Sequence, residues 1–250
     1  AEHVGGTEQN FIDMMNQRAA EIGCTNTHFT NSSGLPDENH YSSAKDMALI
    51  FREGLKNKDF RSVLGDADYT IQPTNMTSDK RVMHTHHPMF APESDIYYPG
   101  CIGGKTGFTN LAAHTLVTAV EQNGTTYIAV VMHGVELSTC CLDSKALFDY
   151  GFGNFTKTAV DGGSVILPKG MDVNALTAKS ESSNGKIKTV YYAGDHQVGT
   201  STVDETAATA TPTPETAASG TAGDTLDQSG ESDNKIYDPN VSGKSFPAVL

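Results

Sequence analysis

The sequence of 250 residues is short of basic side chains and of long apolar runs. It has 17 Lys and Arg against 30 Asp and Glu, which gives a formal net charge of -13. A nucleic-acid partner would call for a basic face, so this charge balance argues against one. The chain has no run of about 20 apolar residues and no signal peptide, so no transmembrane helix is predicted within it.

The four cysteines lack the spacing of a metal site. Cys24 and Cys101 are isolated, and the neighbours Cys140 and Cys141 have no second pair at ligand distance along the chain. We interpret Cys140 and Cys141 as buried thiols on a helix. One disulfide remains possible but is not required.

Three histidines, His84, His86 and His87, cluster before Pro88 and raise the hypothesis of a metal site. On a strand, His84 and His86 would share one face while His87 would point to the other, and no carboxylate pair lies at ligand spacing. The sequence therefore predicts no metal and no cofactor.

Hydrophobic spacing predicts helices that begin near Thr7, Ser43 and Asp59, with Ser43 and Asp46 forming a capping box. Two strand-like runs, 114–120 and 126–132, flank an Asn-Gly turn and predict a hairpin. A further helix is predicted from Ser138 through 148, closed by the glycines at 151 and 153. The expected fold class is α+β, an antiparallel sheet packed against helices.

The composition changes along the chain and divides it into three predicted parts. Residues 1–153 have an ordinary mixture of apolar and charged residues, and residues 154–203 contain short strand-like runs between turn residues. Residues 204–250 are mostly Thr, Ala, Ser, Gly, Pro and acids, which cannot bury enough apolar surface to offset the entropy of ordering. We expect a domain at 1–153, a small β-rich segment at 154–203 and a disordered acidic linker at 204–250.

The stretch GGKTGFTN at residues 103–110 stands at the start of the predicted sheet. Its glycines leave the backbone open to close approach, Lys105 offers a cation, and Thr106 offers a hydroxyl beside it. Such a strand suits a peptide that bears a carboxylate. Three letters alone are weak evidence, because a strand can begin with Lys-Thr-Gly by chance.

Two more blocks precede this stretch in a fixed order. They are NFIDMMN at 10–16 running on to Gly23, and THFTNSSGLP at 27–36 followed by HYSSAKDMA at 40–48. With Lys-Thr-Gly, these blocks resemble the serine-type D-alanyl-D-alanine carboxypeptidases, the low-molecular-mass penicillin-binding proteins. The resemblance covers roughly residues 1–153 and implies part of a DD-peptidase/β-lactamase-like domain.

The resemblance implies an enzyme that removes the terminal D-alanine of peptidoglycan stem peptides through an acyl-enzyme. Lys105 would attract the terminal carboxylate and tune proton transfers, and Thr106 would hydrogen-bond that carboxylate. Gly107 would also lie in the substrate site, and the backbone N–H of Phe108 would supply half of the oxyanion hole.

The nucleophile that this chemistry needs is not identifiable in the chain. Ser-x-x-Lys occurs at 42–45 and at 183–186, but the first coincides with a helix cap and the second follows Lys-Thr-Gly, which reverses the family order. Ser-Asp-Asn at 232–234 falls in the predicted linker. We expect a C-terminal fragment, open at both ends, that is inactive alone.

The resemblance also implies partners and a location. The partners would be the stem peptide and, for the full-length enzyme, β-lactam antibiotics, with an apolar anchor beyond Leu250 holding the protein at the outer face of the bacterial membrane. Two alternatives remain open: a β-lactamase-type hydrolase of the same fold, and a non-catalytic wall-binding protein that has lost its nucleophile.

Overall fold

The computed structural model describes residues 1–205 and the backbone of a short strand at Ala248–Val249. The described residues belong to two compact units. The first contains Ala1–Phe155 and the C-terminal strand, and the second begins at Thr156. Most of the linker predicted at 204–250 lies outside the described residues, although Asp204 still belongs to a strand.

The first unit contains five helices within its described residues. They are α1 (Glu2–Gly5), α2 (Glu8–Glu21), α3 (Ala44–Gly54), α4 (Lys58–Leu64) and α5 (Leu137–Asn154).

Helices α2 to α5 each follow a polar residue, although two of the predicted starts were wrong. Thr7 caps α2 and Ser43 caps α3, each accepting a hydrogen bond from a backbone N–H three residues later. The cap of α4 is Asn57 and not Asp59, because the Asn57 side chain accepts from two backbone N–H groups of the first turn. Helix α5 begins after Glu136, and the hydroxyl of Ser138 bonds the Glu136 carboxylate instead of capping the helix.

Helix α5 also runs further than the sequence predicted. It passes through both glycines to Asn154. Gly151 lies against the ring of Tyr127, where an added Cβ would come within 3.2 Å of a ring carbon. This glycine therefore serves close packing and does not end the helix.

Six strands, counted over the described residues, complete the first unit. A small hairpin pairs β1 (Asp68–Ile71) with β2 (Arg81–His84). The main sheet is made of β3 (Cys101–Thr109), β4 (Ala113–Gln122), β5 (Thr125–Gly134) and β11 (Ala248–Val249), in the order β11-β5-β4-β3. Every pairing in it is antiparallel, as predicted.

The hairpin of β4 and β5 turns at Asn123 and Gly124, which both have positive φ angles, 51° and 70°. These are the angles of a type I′ turn, so the Asn-Gly signal was correct. Near the other end the register shifts between His114 and Leu116. His133 lies in that part of β5 with a positive φ of 59°.

The main sheet is covered by α3 on one face and α5 on the other. Opposite residues of an antiparallel pair project to the same face, and Val117 and Ala119 of β4 project with Ile128 and Val130 of β5. These four pack against Ala48 and Phe51 of α3. The alternate residues, such as the buried Tyr127, face α5.

Asp46 ties the start of α3 to the segment before it. Its Oδ2 accepts from the backbone N–H of Asn26 at 2.7 Å and from the Thr27 hydroxyl at 2.8 Å. Burial opposes ionisation, but these hydrogen bonds outweigh it and hold the pKa of Asp46 below its usual value. The predicted capping box is thus only half formed, because Ser43 caps the helix while the Asp46 carboxylate serves the 25–27 segment.

The second unit is a five-stranded sheet within its described residues. It is made of β6 (Phe155–Val160), β7 (Gly163–Pro168), β8 (Thr177–Ser183), β9 (Lys186–Ala193) and β10 (His196–Asp204), in the order β6-β7-β10-β9-β8, with a short 3-10 helix at Val173–Ala175. In residues 1–205, no helix is both long enough and apolar enough to span a bilayer.

Replacing Asp46 by alanine should lower the free energy of unfolding by about 2 kcal/mol, because the backbone N–H of Asn26 and the Thr27 hydroxyl lose the buried carboxylate that accepts their hydrogen bonds. Urea unfolding at pH 7 measures this change. Asp143→Ala, which removes an exposed carboxylate from α5, is the matched control and should change stability by less than about 0.5 kcal/mol. Equal losses in the two variants would contradict the role given to Asp46.

Candidate active site

Strand β3 carries the Lys-Thr-Gly stretch at an edge of the main sheet. In the described part of the chain it pairs only with β4, in the register Lys105 to Val117, Thr106 to Leu116 and Gly107 to Thr115. The other side of an edge strand presents backbone N–H and C=O groups that an extended peptide can pair with. The sequence correctly placed Lys-Thr-Gly on a strand, although the strand already begins at Cys101. That a peptide pairs with it stays a prediction.

Lys105 and Thr106 project to opposite faces of β3. Lys105 shares its face with Val117, which packs toward α3, whereas Thr106 shares the other face with Leu116. A pocket of about 220 Å³ lies on the α3 side, with Met47, Lys105, Gly107 and Thr115 among its lining residues.

The Lys105 ammonium has no carboxylate partner among residues 1–205. The side chain is exposed, and Nζ donates to the main-chain oxygen of Thr106 at 2.5 Å. No salt bridge within that range involves it. An exposed cation without an internal counter-ion is free to attract an anionic ligand such as a carboxylate.

The glycines of the stretch are needed for internal packing, which differs from the expectation that they leave room for a ligand. A Cβ on Gly104 would lie 2.1 Å from the main-chain oxygen of Val117 and 2.5 Å from Nε2 of His87, and a Cβ on Gly107 would lie 2.5 Å from Oγ1 of Thr115. Both spaces are filled by the protein itself.

Phe108 is 60% exposed at the end of β3. Its ring centroid lies 4.6 Å from that of His114, the residue opposite it on β4. The backbone of Phe108 is held by the pairing of β3 with β4, and the ring contact lies on one face of that pair.

His87 lies behind the Lys-Thr-Gly strand, and its role was missed from sequence, where it was weighed only as a metal ligand. It is 3% exposed, and its Nε2 is 2.8 Å from the hydroxyl of Thr118. Its Nδ1 is buried and has no hydrogen-bond partner among residues 1–205. Burial, helped by the nearby Lys105 charge, lowers the pKa of His87 to about 4, so the imidazole is neutral at pH 7.

The other two histidines of the cluster are exposed, whereas His87 is buried. His84 ends β2, where its Nδ1 is 2.6 Å from the Asp68 carboxylate, and His86 is exposed. The strand ends at His84, so the argument about shared strand faces does not apply to His86. No cluster of three metal-ligating side chains occurs in residues 1–205.

The two Ser-x-x-Lys matches in the described residues have structural roles, one at the start of a helix and one in a hairpin. The Ser42 hydroxyl lies 3.0 Å from the Thr27 hydroxyl beside Asp46, and Lys45 is exposed on α3. Ser183 and Lys186 are opposite each other in the hairpin of β8 and β9, on either side of a two-residue turn. The Ser-Asp-Asn match at 232–234 lies outside the described residues.

The cysteines are free thiols, and Cys140 and Cys141 are buried on α5 as predicted. Burial raises the pKa of Cys141 and of Cys101 to about 11. These thiols are therefore protonated at neutral pH and are not nucleophiles.

Comparison with known proteins identifies the family. Residues 1–136 match the model of the peptidase family described as D-alanyl-D-alanine carboxypeptidase. The chain belongs to this family.

Two curated relatives and one solved structure illustrate the similarity. The D-alanyl-D-alanine carboxypeptidase DacF of Bacillus subtilis is 36% identical over 62% of this chain and 38% of its own length. DacB2 of Mycobacterium tuberculosis is 35% identical over 60% of this chain and 50% of its length. The structure of penicillin binding protein 5 from Haemophilus influenzae covers 81% of this chain and 67% of that chain, with a TM-score of 0.61 and 24% identity, and supports the fold.

The chain spans only about 38% to 50% of the curated relatives that it resembles. The α+β fold and the family are established, while the activity of the whole protein rests on the proposal below.

Neutral His87 should make stability depend on pH between 6.5 and 4. A histidine in the unfolded chain has a pKa of about 6.5, whereas the pKa of His87 in the folded protein is about 4. Its contribution is therefore fully present above pH 6.5 and is lost as the pH falls through that interval, by up to about 3 kcal/mol.

Urea unfolding of the wild type and of His87→Gln at several pH values between 4 and 7 measures this effect. We expect this component of the pH dependence to disappear in His87→Gln and to remain in the control His86→Gln, an exposed neighbour. Parallel stability curves for the wild type and His87→Gln would contradict the assignment.

Proposed function

We propose that the full-length protein is a serine-type D-alanyl-D-alanine carboxypeptidase that trims peptidoglycan stem peptides. This chain supplies the wall of the active site that holds the carboxyl end of the substrate. The observation that carries the proposal is Lys105, which lies within the part of the chain that matches the family. Over residues 1–205 this cation has no counter-ion, and its strand is an edge strand of the described sheet.

In this proposal the substrate lies along the outer edge of β3. Beyond the open edge of β3, the terminal carboxylate of the stem peptide is reached from both faces of the strand: it pairs with the Lys105 ammonium from one face and accepts a hydrogen bond from the Thr106 hydroxyl from the other. The scissile carbonyl lies toward Phe108, whose backbone N–H stabilises the negative charge that forms on the carbonyl oxygen. Gly107 lies between Thr106 and Phe108 on the same stretch of strand.

The reaction proceeds in two steps. A serine Oγ attacks the carbonyl of the penultimate D-alanine, its proton passes through a neighbouring lysine to the leaving amine, and the bond to the terminal D-alanine breaks. Water then hydrolyses the ester. We assign neither the serine nor its lysine within residues 1–205, because both Ser-x-x-Lys matches in that range have structural roles.

The same chemistry suggests a location. A substrate in peptidoglycan places the enzyme outside the bacterial cytoplasmic membrane, and β-lactams, which mimic D-alanyl-D-alanine, would acylate the same serine. An anchor beyond Leu250 and the spacer at 204–250 remain predictions.

Lys105→Ala in the full-length protein should slow acylation by fluorescent penicillin by roughly 30- to 1000-fold, since the lost cation is worth on the order of 2 to 4 kcal/mol in the transition state. The acylation rate is measured by quenching the reaction at successive times and quantifying the fluorescent protein band on a denaturing gel.

Lys45→Ala is the matched control, because it removes the exposed lysine of the first Ser-x-x-Lys match and should leave the rate unchanged. Unaltered acylation of Lys105→Ala would remove Lys105 from the site. A penicillin adduct on Ser42, in the full-length protein or in the 250-residue chain alone, would refute the structural role given to that serine.

A further inference from the structure

His87 contacts both strands that position Lys105. Its Nε2 lies 2.8 Å from Oγ1 of Thr118 on β4, and Thr118 is the residue directly opposite Gly104. Gly104 immediately precedes Lys105 on β3. One imidazole therefore touches β4 through a hydrogen bond and β3 through packing.

The packing contact is close enough to set the position of the strand. Because Gly104 has no side chain, the ring can lie against its main chain, with Nε2 only 2.5 Å from the place that a Cβ would occupy. The Lys105 side chain leaves β3 at the next residue. A shift of the imidazole would consequently move the backbone from which the cation projects.

The residue that packs on Gly104 is polar, which is unusual for a position as deeply buried as that of His87. Nδ1 has no partner among residues 1–205, and a buried polar atom without a partner costs free energy that an apolar side chain would avoid. The titratable groups beside the ring are Lys105 on β3 and the neighbouring His84 and His86, while β4 contributes the uncharged Thr118. A neutral imidazole next to Lys105 adds no second cation to the site.

We infer that His87 is a positioning residue for substrate binding: the neutral imidazole, held by Thr118 and packed on Gly104, fixes β3 so that the Lys105 ammonium meets the substrate carboxylate. The inference rests on the proposed function and goes beyond it by assigning a residue that does not touch the substrate. It predicts that His87 affects the reaction only through Lys105.

The test is a double-mutant cycle in the full-length protein, with benzylpenicillin as the acylating probe at pH 7. His87→Gln can keep a hydrogen bond to Thr118 but lacks the ring that packs on Gly104. We expect it to slow acylation roughly tenfold when Lys105 is present and less than about twofold in the Lys105→Ala background. A purely structural role would give the same loss in both backgrounds.

Thr118→Val provides a second variant that removes the hydrogen bond from the other side and leaves His87 in place. It should show the same dependence on Lys105, and thermal unfolding of each variant confirms that folded protein is compared. His84→Gln, an exposed histidine paired with Asp68, is the control and should leave the rate unchanged in both backgrounds.

The possible outcomes separate the two proposals. Equal losses in both backgrounds, or no loss in His87→Gln and Thr118→Val, overturn the positioning role while leaving the carboxypeptidase proposal intact. An unchanged rate in Lys105→Ala alone overturns the proposed function, and the positioning role with it.

Discussion

The pairing of β3 with β4 is the interaction on which the candidate site depends. It fixes Lys105 opposite Val117, and Val117 belongs to the core formed with α3. The position of any ligand that pairs with Lys105 is therefore fixed with respect to the buried core of the first unit. The pairing is tight because Gly104 and Gly107 let His87 and Thr115 lie against the strand. A side chain at either glycine would separate the strand from its support.

Local signals in the sequence predicted much of this arrangement. Thr7 and Ser43 have the side chains that cap helices, and Asn123-Gly124 can adopt two positive φ angles, so these elements were found from a few residues each. The three sequence blocks, kept in one order along the chain, were enough to indicate the family. The α+β class followed from the two apolar runs on either side of the turn.

The sequence did not predict features that depend on contacts between residues far apart along the chain. Gly151 resembles a helix stop, yet α5 continues because Tyr127, on β5, fills the space beside it. Asn57 instead of Asp59 caps α4, since either residue could have served and only the path of the chain decides. His87 was weighed from sequence only as a metal ligand, and its buried hydrogen bond is to Thr118, 31 residues later. Periodicity and local propensity carry no information about such contacts.

The central claim is that the Lys-Thr-Gly strand binds the carboxylate of the substrate. A crystal structure of the full-length protein acylated by benzylpenicillin tests it most directly. We predict that the carboxylate of the adduct lies within hydrogen-bond distance of Lys105 Nζ and Thr106 Oγ1, with the carbonyl oxygen of the ester near the Phe108 N–H. A carboxylate bound elsewhere, with Lys105 still in solvent, would contradict the account.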